Sequence, residues 1–286
     1  MMRNSAKRFS LVIIVVFLVN LSVLADVYFE DGGIHNIDFT IVGEVWVDRY
    51  APAMQDPTTV NLLDFGLITG PEGGDLIAYK ESMVNVLGGS ITYSLWAYEN
   101  SRIDISGGSI GTDVYIRNES QLDISDGLIG LDINAWENSQ VNISGGSIGQ
   151  SLWTKNNSQV NLSGGSIGYD VYTYDSSHVD IFGGTIAELL ILMNSSVITI
   201  YGYDFAVDGE PYYGELNSIY NSDWWKEEPP RILTGNLANG DPVNNFFYIC
   251  NDAKIVLVPV PGAFLLGSIG FAVASWKLRR RREFLV

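Results

Sequence analysis

Ile103–Gly111 reads IDISGGSIG, and close copies of this nonapeptide return at a constant interval along the middle of the chain. The copies are VNVLGGSIT at 84–92, LDISDGLIG at 122–130, VNISGGSIG at 141–149, VNLSGGSIG at 160–168 and VDIFGGTIA at 179–187. A fixed short period of this kind is typical of a solenoid, in which each repeat packs only against its neighbours. The regular repeats run from Val84 to Val197.

Four positions of each repeat are apolar, and polar residues alternate with them. The four apolar columns begin at Val84, Val86, Ile91 and Leu95. Alternation with many β-branched residues predicts strands and not helices, and the Gly-Gly pairs predict corners between strands. Three short strands per repeat, each parallel to its copy in the next, predict an all-β fold. We expect a single-stranded, right-handed parallel β-helix with 19-residue coils.

The rest of the chain is arranged around this repeat. Val60 opens a row that is longer than the others, because the next row begins only at Val84, so Pro71–Asp75 is interpreted as an insertion at a corner. The predicted segments are a signal peptide at 1–25, an N-terminal β cap at 26–59, the β-helix repeats at 60–201, a C-terminal β cap at 202–257 and a sorting signal at 258–286.

Both ends carry features of export. Arg3, Lys7 and Arg8 precede an apolar run, and Ala25 ends a candidate cleavage site, which together predict an N-terminal signal helix. A permanent N-terminal anchor is the alternative. At the other end an apolar run at 262–276 is followed by a basic cluster at 277–282. This order predicts a transmembrane helix whose basic end stays in the cytoplasm.

The C-terminal segment 258–286 resembles the PEP-CTERM sorting signal of bacteria that possess exosortase. That family combines a short Pro-Glu-Pro motif, a membrane helix and an arginine-rich end. The motif positions here are Pro259, Val260 and Pro261, followed by Gly262, with Val260 standing where the family has glutamate. The resemblance implies export, an exosortase-like membrane enzyme as partner, and cleavage near these four residues. An ordinary C-terminal membrane anchor is the alternative interpretation.

The composition narrows the possible partners. The chain has 16 basic and 33 acidic residues, a net charge of −17, so phosphate would be repelled and nucleic acid is not an expected partner. Cys250 is the single cysteine, which excludes an intrachain disulfide; we expect a small buried residue there. No cofactor or metal is predicted. Asp104 and Asp123 are the alternative, as calcium ligands, although a solvated Asn/Asp ladder explains their column equally well.

One outward face combines aromatic rings with carboxylates. The candidate glycan-binding rings are Trp96, Tyr115, Trp136, Trp153 and Tyr172, beside Asp113, Asp132 and Asp170. Exposed rings flanked by carboxylates suit sugars, but an aromatic ladder that stabilises the coil is the simpler interpretation. Asp113 and Asp132 could also form the carboxylate pair of a glycosidase. An enzyme is not expected, because the corners are too short to wall a cleft.

These observations predict an exported cell-surface or extracellular-matrix β-solenoid with a structural or adhesive role. The repetition of the body resembles secreted right-handed parallel β-helix repeat proteins such as adhesins and autotransporter passengers. The alternative function is an extracellular glycan-binding or polysaccharide-cleaving module, whose partner would be an extracellular polysaccharide. Before processing, the C-terminal helix would hold the protein in the inner membrane.

Overall fold

A computed structural model describes residues 22–23, 25–52, 56–71, 73–218 and 230–260. Within these ranges the chain is all-β, with 28 strands and no helix. It forms a parallel β-solenoid of about nine turns, as the period of the repeat predicts. The predicted membrane helix at 262–276 lies outside the described residues, and so does the predicted signal peptide except for residues 22, 23 and 25.

The strands are numbered in chain order. They are β1 (Ser22–Val23), β2 (Val27–Phe29), β3 (Ile34–Ile37), β4 (Thr40–Val42), β5 (Val45–Val47), β6 (Thr59–Leu62), β7 (Leu67–Thr69), β8 (Leu76–Ala78), β9 (Met83–Val86), β10 (Ser90–Ile91), β11 (Leu95–Ala97), β12 (Arg102–Ile110), β13 (Val114–Ile116) and β14 (Gln121–Ile129). The remainder are β15 (Ile133–Ala135), β16 (Gln140–Ile143), β17 (Ser147–Ile148), β18 (Leu152–Thr154), β19 (Gln159–Ile167), β20 (Val171–Thr173), β21 (His178–Ile186), β22 (Leu189–Leu192), β23 (Val197–Val207), β24 (Glu210–Pro211), β25 (Gly214–Asn217), β26 (Arg231–Leu237), β27 (Pro242–Ile249) and β28 (Lys254–Pro259).

Three ladders of parallel strands form the walls of the coil. Ile103 pairs with Leu122, Ile110 with Ile129 and Val114 with Ile133, so each strand lies against its own copy in the following repeat. In several coils the first two strands run on as one long strand, as in β12, β14, β19 and β21. The predicted set of three strands per coil is therefore confirmed.

The strands before the regular rows belong to the same stack. Val27 pairs in parallel with Val45, Val45 with Leu76, and Ile34 with Thr59. The spacing between coils is irregular here because the corners carry insertions. The insertion after Val60 is confirmed, since the step from Ile68 to its partner Ile91 exceeds the regular period, whereas the step from Leu76 to Leu95 equals it.

The final coil forms after a long excursion. Leu190 pairs in parallel with Phe247, and Ile198 with Ile255, so each partner lies three coil lengths further along the chain. Strands β25 and β26 run antiparallel along β28 and β27. They occupy the hydrogen-bonding edge that a further coil would otherwise use. The Asn245 side-chain amide closes the same end by donating to the carbonyls of Ile186 and Glu188 at 2.8 and 3.0 Å.

The core is a continuous column of aliphatic side chains inside the coil. Ile103, Ile105 and Val114 are fully buried, and their copies in the other coils are equally inaccessible. Each fully buried aliphatic side chain contributes roughly 1.5–3 kcal/mol to folding. Cys250 is buried at the end of this column, as expected for a small apolar residue.

The corner that follows the third strand combines backbone strain with a buried serine. The first residue of the corner has positive φ in every regular coil, as at Glu99 (60°), Asn118 (58°) and Glu137 (64°). Shortly after it a serine points inward and is fully buried. Ser120 Oγ donates to the Arg117 carbonyl at 2.6 Å. The hydroxyls of Ser82, Ser101 and Ser139, in contrast, have no hydrogen-bond partner among the described residues.

The second glycine of each Gly-Gly pair is required by close contact between coils. Gly108 has φ +73°, and a Cβ placed there would lie 2.4 Å from the Gly88 carbonyl oxygen. We expect Gly108→Ala to lower the free energy of unfolding by about 3 kcal/mol, from left-handed strain plus this clash. Urea denaturation followed by circular dichroism measures the loss.

Gly240→Ala is the matched control, because Gly240 also has positive φ (+98°) but a Cβ there meets nothing within 4 Å. Only the conformational strain applies, so its expected cost is about 1 kcal/mol. Equal losses in the two variants would contradict a steric limit set by coil stacking.

Candidate functional site

The outward side chains of the third ladder form two neighbouring columns, which we call the aromatic face. The flanking residues of each short strand, such as Leu95 and Ala97, are buried, so the middle residue points out. The first column is Trp96, Tyr115, Asn134, Trp153 and Tyr172, and the second is Tyr98, Arg117, Trp136, Lys155 and Tyr174. Most of these side chains are half-buried against one another, and Lys155 is exposed.

The rings of the first column stack face to face. Trp96 lies 3.8 Å from Tyr115, centroid to centroid, with an interplanar angle of 11°. Trp153 and Tyr172 form an equivalent pair at 3.8 Å and 7°. The facing surfaces within each pair are therefore covered. What remains open to solvent is mainly the ring edges and the outer faces of each pair.

The aromatic face continues into the irregular first coils. Tyr79 stacks on Tyr98 at 5.0 Å, Trp46 on Tyr79 at 6.2 Å and Tyr28 on Trp46 at 6.3 Å. The sequence reasoning did not include Tyr28, Trp46 and Tyr79, because the regular period does not reach them. Arg49 covers the ring of Trp46 with its guanidinium carbon 3.7 Å from the centroid, a cation–π contact.

The stack is interrupted at Asn134. Strand pairing places Asn134 between Tyr115 and Trp153, so one coil of the column carries no ring. Trp136, in the same coil, stands at 75° to Tyr115 with centroids 6.3 Å apart. Arg117 lies on the ring of Trp136 at 4.1 Å. Asn134 makes no side-chain hydrogen bond with the described residues.

The aspartates beside the rings accept hydrogen bonds from backbone amides of the next coil. Asp113 Oδ1 accepts the amide of Asp132 at 3.0 Å, and Asp132 Oδ1 accepts the amide of Ser151 at 2.7 Å. Asp170 Oδ1 accepts the amide of Leu189 at 2.9 Å. These residues follow the second strand, where the backbone turns and its amides need acceptors. The carboxylates are thus structural acceptors in this conformation.

Two of the stacked tyrosines donate to the same carboxylates. The Tyr115 hydroxyl donates to Asp113 Oδ2 at 3.1 Å, and the Tyr172 hydroxyl to Asp170 Oδ2 at 2.8 Å. Burial and the Asp113 charge raise the pKa of Tyr115 to about 12. The pKa of Tyr172 is raised by burial and by its bond to Asp170. Burial also raises the pKa of Asp132, against the opposing effects of the Ser151 amide and the Trp153 indole.

This arrangement bears on the carboxylate pair considered for glycosidase chemistry. Both oxygens of Asp113 are engaged, one by the Asp132 amide and one by the Tyr115 hydroxyl. A general acid or nucleophile needs an oxygen that can reach substrate. Asp113 thus bonds the protein through both oxygens in this conformation, and the glycosidase alternative for Asp113 and Asp132 stays a prediction.

A second face carries the Asn/Asp column predicted from the repeat. Asn142 donates to Asp123 Oδ1 at 2.7 Å, and Asn161 to Asn142 at 2.8 Å, which realises an amide ladder. Asp104 and Asp123 lie opposite each other in adjacent coils. Among the described residues, no group of three or more potential metal-binding side chains is present. The calcium alternative for Asp104 and Asp123 stays a prediction.

An open groove of about 690 Å³ runs beside this ladder. Its lining is polar and includes Arg102, which donates to Gln121 at 2.9 Å. His178, next to the Asn/Asp column, bonds Asp180 at 3.0 Å. His35 bonds Asp31 at 2.7 Å near the first coils. Neither histidine lines this groove.

The predicted sorting motif begins on the last strand of the solenoid. Pro259 ends β28, opposite Gly202, and the Val260 amide donates to the Gly202 carbonyl at 2.7 Å. Pro261 and Gly262 lie outside the described residues. In the described part of the chain, no helix has the length and apolarity needed to cross a membrane.

The Tyr172 hydroxyl stabilises the nearly inaccessible Asp170 carboxylate, which is 8% exposed. We expect Tyr172→Phe to lower the free energy of unfolding by about 2 kcal/mol, because the variant removes a hydrogen bond to a charged group. Tyr174→Phe is the control, since the Tyr174 hydroxyl has no hydrogen-bond partner among the described residues; its expected change is within about 0.5 kcal/mol. Urea denaturation measures both, and a similar loss in the two variants would argue against the bond.

The dependence of folding stability on alkaline pH tests the raised pKa of Tyr115. Its pKa is raised from 10.0 to about 12, so the folded state favours the neutral phenol. That contribution is complete below pH 10 and is lost as the pH rises through about 12. We expect Tyr115→Phe to lose less stability than the wild type over this interval, measured by urea midpoints. Tyr50→Phe, at a residue that is 67% exposed, should follow the wild-type slope; identical slopes in all three proteins would contradict the assignment.

Comparisons with known proteins identify no family for this chain. No protein-family model, curated protein or solved structure matches the chain. The function is therefore inferred from the outer faces of the solenoid and from the two ends of the chain.

Proposed function

We propose that this protein is an exported, surface-sorted β-solenoid that serves as a rigid structural or adhesive element of the cell envelope or extracellular matrix. The observation that supports this role most is that many outward polar side chains bond their counterparts in the next coil. Asn142 bonds Asp123 on one face, and Asp132 bonds the Ser151 amide on another. A surface built in this way strengthens the coil along its axis.

The two ends of the chain support export and sorting. Residues 1–25 have the order of a signal peptide, and residues 258–286 resemble an exosortase sorting signal. Because Val260 still bonds Gly202, the solenoid extends up to the motif itself. Cleavage near Pro261 would release a body whose last coil is already closed by β25 and β26.

The acidic body fits this location. Half of the basic residues lie in the two terminal segments that processing would remove, so the mature body carries a strong negative charge. Such a charge favours solubility outside the cell. The lack of an intrachain disulfide leaves stability to coil stacking and to the buried aliphatic column.

Mass spectrometry of the protein recovered from the cell surface and medium tests this proposal. In a bacterium that possesses an exosortase, we expect a mature protein that begins at Asp26 and ends near Pro259–Gly262. The Pro259→Ala/Pro261→Ala double variant should be exported but keep its C-terminal segment. This comparison separates recognition of the motif from simple anchoring.

Two outcomes would count against the proposal. Recovery of the whole chain with Met1 in the cytoplasm would remove export. Identical cleavage of the wild type and the double variant would remove the role of the motif while leaving the exported solenoid. A protease-shaving experiment on intact cells adds the topology, because an exported body is cut from outside.

A second candidate function, saccharide binding on the aromatic face, is favoured by one observation. Two stacked rings lie on each side of Asn134. The other ringless positions of this described column, Ile77 and Ile191, are aliphatic, so Asn134 is its polar gap. A stabilising ladder alone gives no reason for this gap.

A further inference from the structure

The interruption at Asn134, which we call the slot, is one coil wide in the column of stacked rings. Tyr115 and Trp153 lie two coils apart, roughly 9.6 Å at about 4.8 Å per coil. Neighbouring planar rings in this column stack at 3.8 Å. A ring placed midway would lie about 4.8 Å from each aromatic face, which suits a puckered pyranose better than a flat ring. Trp136 stands nearly upright beside the slot, at 75° to Tyr115.

The base of the slot offers a free polar group. Asn134 is half-buried between the two rings, and its amide has no hydrogen-bond partner among the described residues. Asn142 and Asn161, by contrast, donate their amides to the neighbouring coil. An unused amide with one donor and one acceptor side can bond adjacent hydroxyls of a sugar.

Two cations flank the slot. Arg117 lies one coil before Trp136 in the second column, and Lys155 lies one coil after it. The backbone bonds between these coils, from the Trp136 amide to the Ile116 carbonyl and from the Lys155 amide to the Ala135 carbonyl, are both 2.9 Å long. Neither cation forms an ion pair with a described carboxylate. The Arg117 Nε atom is buried without a hydrogen-bond partner in the described part of the chain. The nearby Glu137 carboxylate is committed to the backbone and side-chain amides of Asn118.

Several other basic side chains of the body are occupied. Arg231 pairs with Asp208 at 2.7 Å, Lys254 with Glu215 at 2.9 Å, and Arg102 bonds Gln121 at 2.9 Å. Asp113 and Asp132 lie to the other side of the rings, and their charges act on Tyr115. The anion site is therefore confined to the side of the gap that carries Arg117 and Lys155, two cations without a described carboxylate partner.

We propose that the slot at Asn134 binds one residue of an acidic polysaccharide, a uronate whose pyranose ring lies between Tyr115 and Trp153. The carboxylate of the sugar points to Arg117 and Lys155, and a hydroxyl bonds the side-chain amide of Asn134. A neutral sugar would keep the stacking but lose the charge-assisted bonds. The inference is independent of the proposed scaffold role, since a solenoid that binds no sugar could still be exported and sorted.

Titration calorimetry of the full-length protein with galacturonate oligosaccharides tests the slot, with tryptophan fluorescence as a second readout because Trp153 forms one wall. We expect binding that is roughly tenfold tighter than for neutral galactose oligosaccharides of the same length, and that weakens with added salt. Asn134→Tyr should abolish binding by filling the gap with a ring. Its melting temperature should equal or exceed that of the wild type, because the stack becomes continuous.

The charge variants separate a specific site from general attraction. Arg117→Gln/Lys155→Gln should weaken galacturonate binding roughly tenfold or more and leave neutral-sugar binding unchanged. Arg102→Gln, a cation on another face, should bind as the wild type does. The proposal is overturned if the wild type binds neither sugar, if Asn134→Tyr binds as tightly as the wild type, or if Arg102→Gln loses as much affinity as the double variant.

Discussion

The repeated contact of each residue with its own copy in the next coil is the constraint on which this structure depends. Ile103 pairs with Leu122, and Ser90 pairs with Ser109, because the coils keep a constant register. A residue type is therefore selected for how well it stacks on itself. Aliphatic side chains stack well on their copies inside the coil, and amides, hydroxyls and aromatic rings stack well on theirs outside it.

The same constraint explains how the solenoid manages its charge. A carboxylate stacked on a carboxylate would repel it, and the outer columns limit this arrangement to pairs such as Asp104 with Asp123 and Asp113 with Asp132. In the aspartate column Ser94 and Ser151 interrupt Asp75, Asp113, Asp132 and Asp170. The carboxylates that remain face backbone amides, as Asp132 faces the Ser151 amide at 2.7 Å. These amide partners offset part of the repulsion between carboxylates of neighbouring coils.

The sequence predicted the regular coils well and the ends less completely, for a physical reason. Period and alternation specify which side of a strand is buried, so Ile105 and Ile124 could be placed before the structure was known. Corners tolerate insertions, and these lengthen the step in the first coils, where Val45 pairs with Leu76 instead of a residue one regular period away. The return of Phe247 onto Leu190 was hidden by the excursion between them. The positive φ at Lys80 and Glu99 was not predicted, because these residue types do not favour it.

At the candidate site, the alternation of apolar and polar residues predicts which side chains point outward but not how they contact one another. It placed Trp153 and Tyr172 outside, but it could not show that their faces cover each other at 3.8 Å. Nor could it show that Asp113 is occupied by an amide and a phenol. In a ladder, the informative residue is the one that departs from its column, because repetition alone accounts for the others. Asn134 is such a departure. Two cations without described carboxylate partners lie beside it, so this gap can attract an anion, which the stacked rings cannot do.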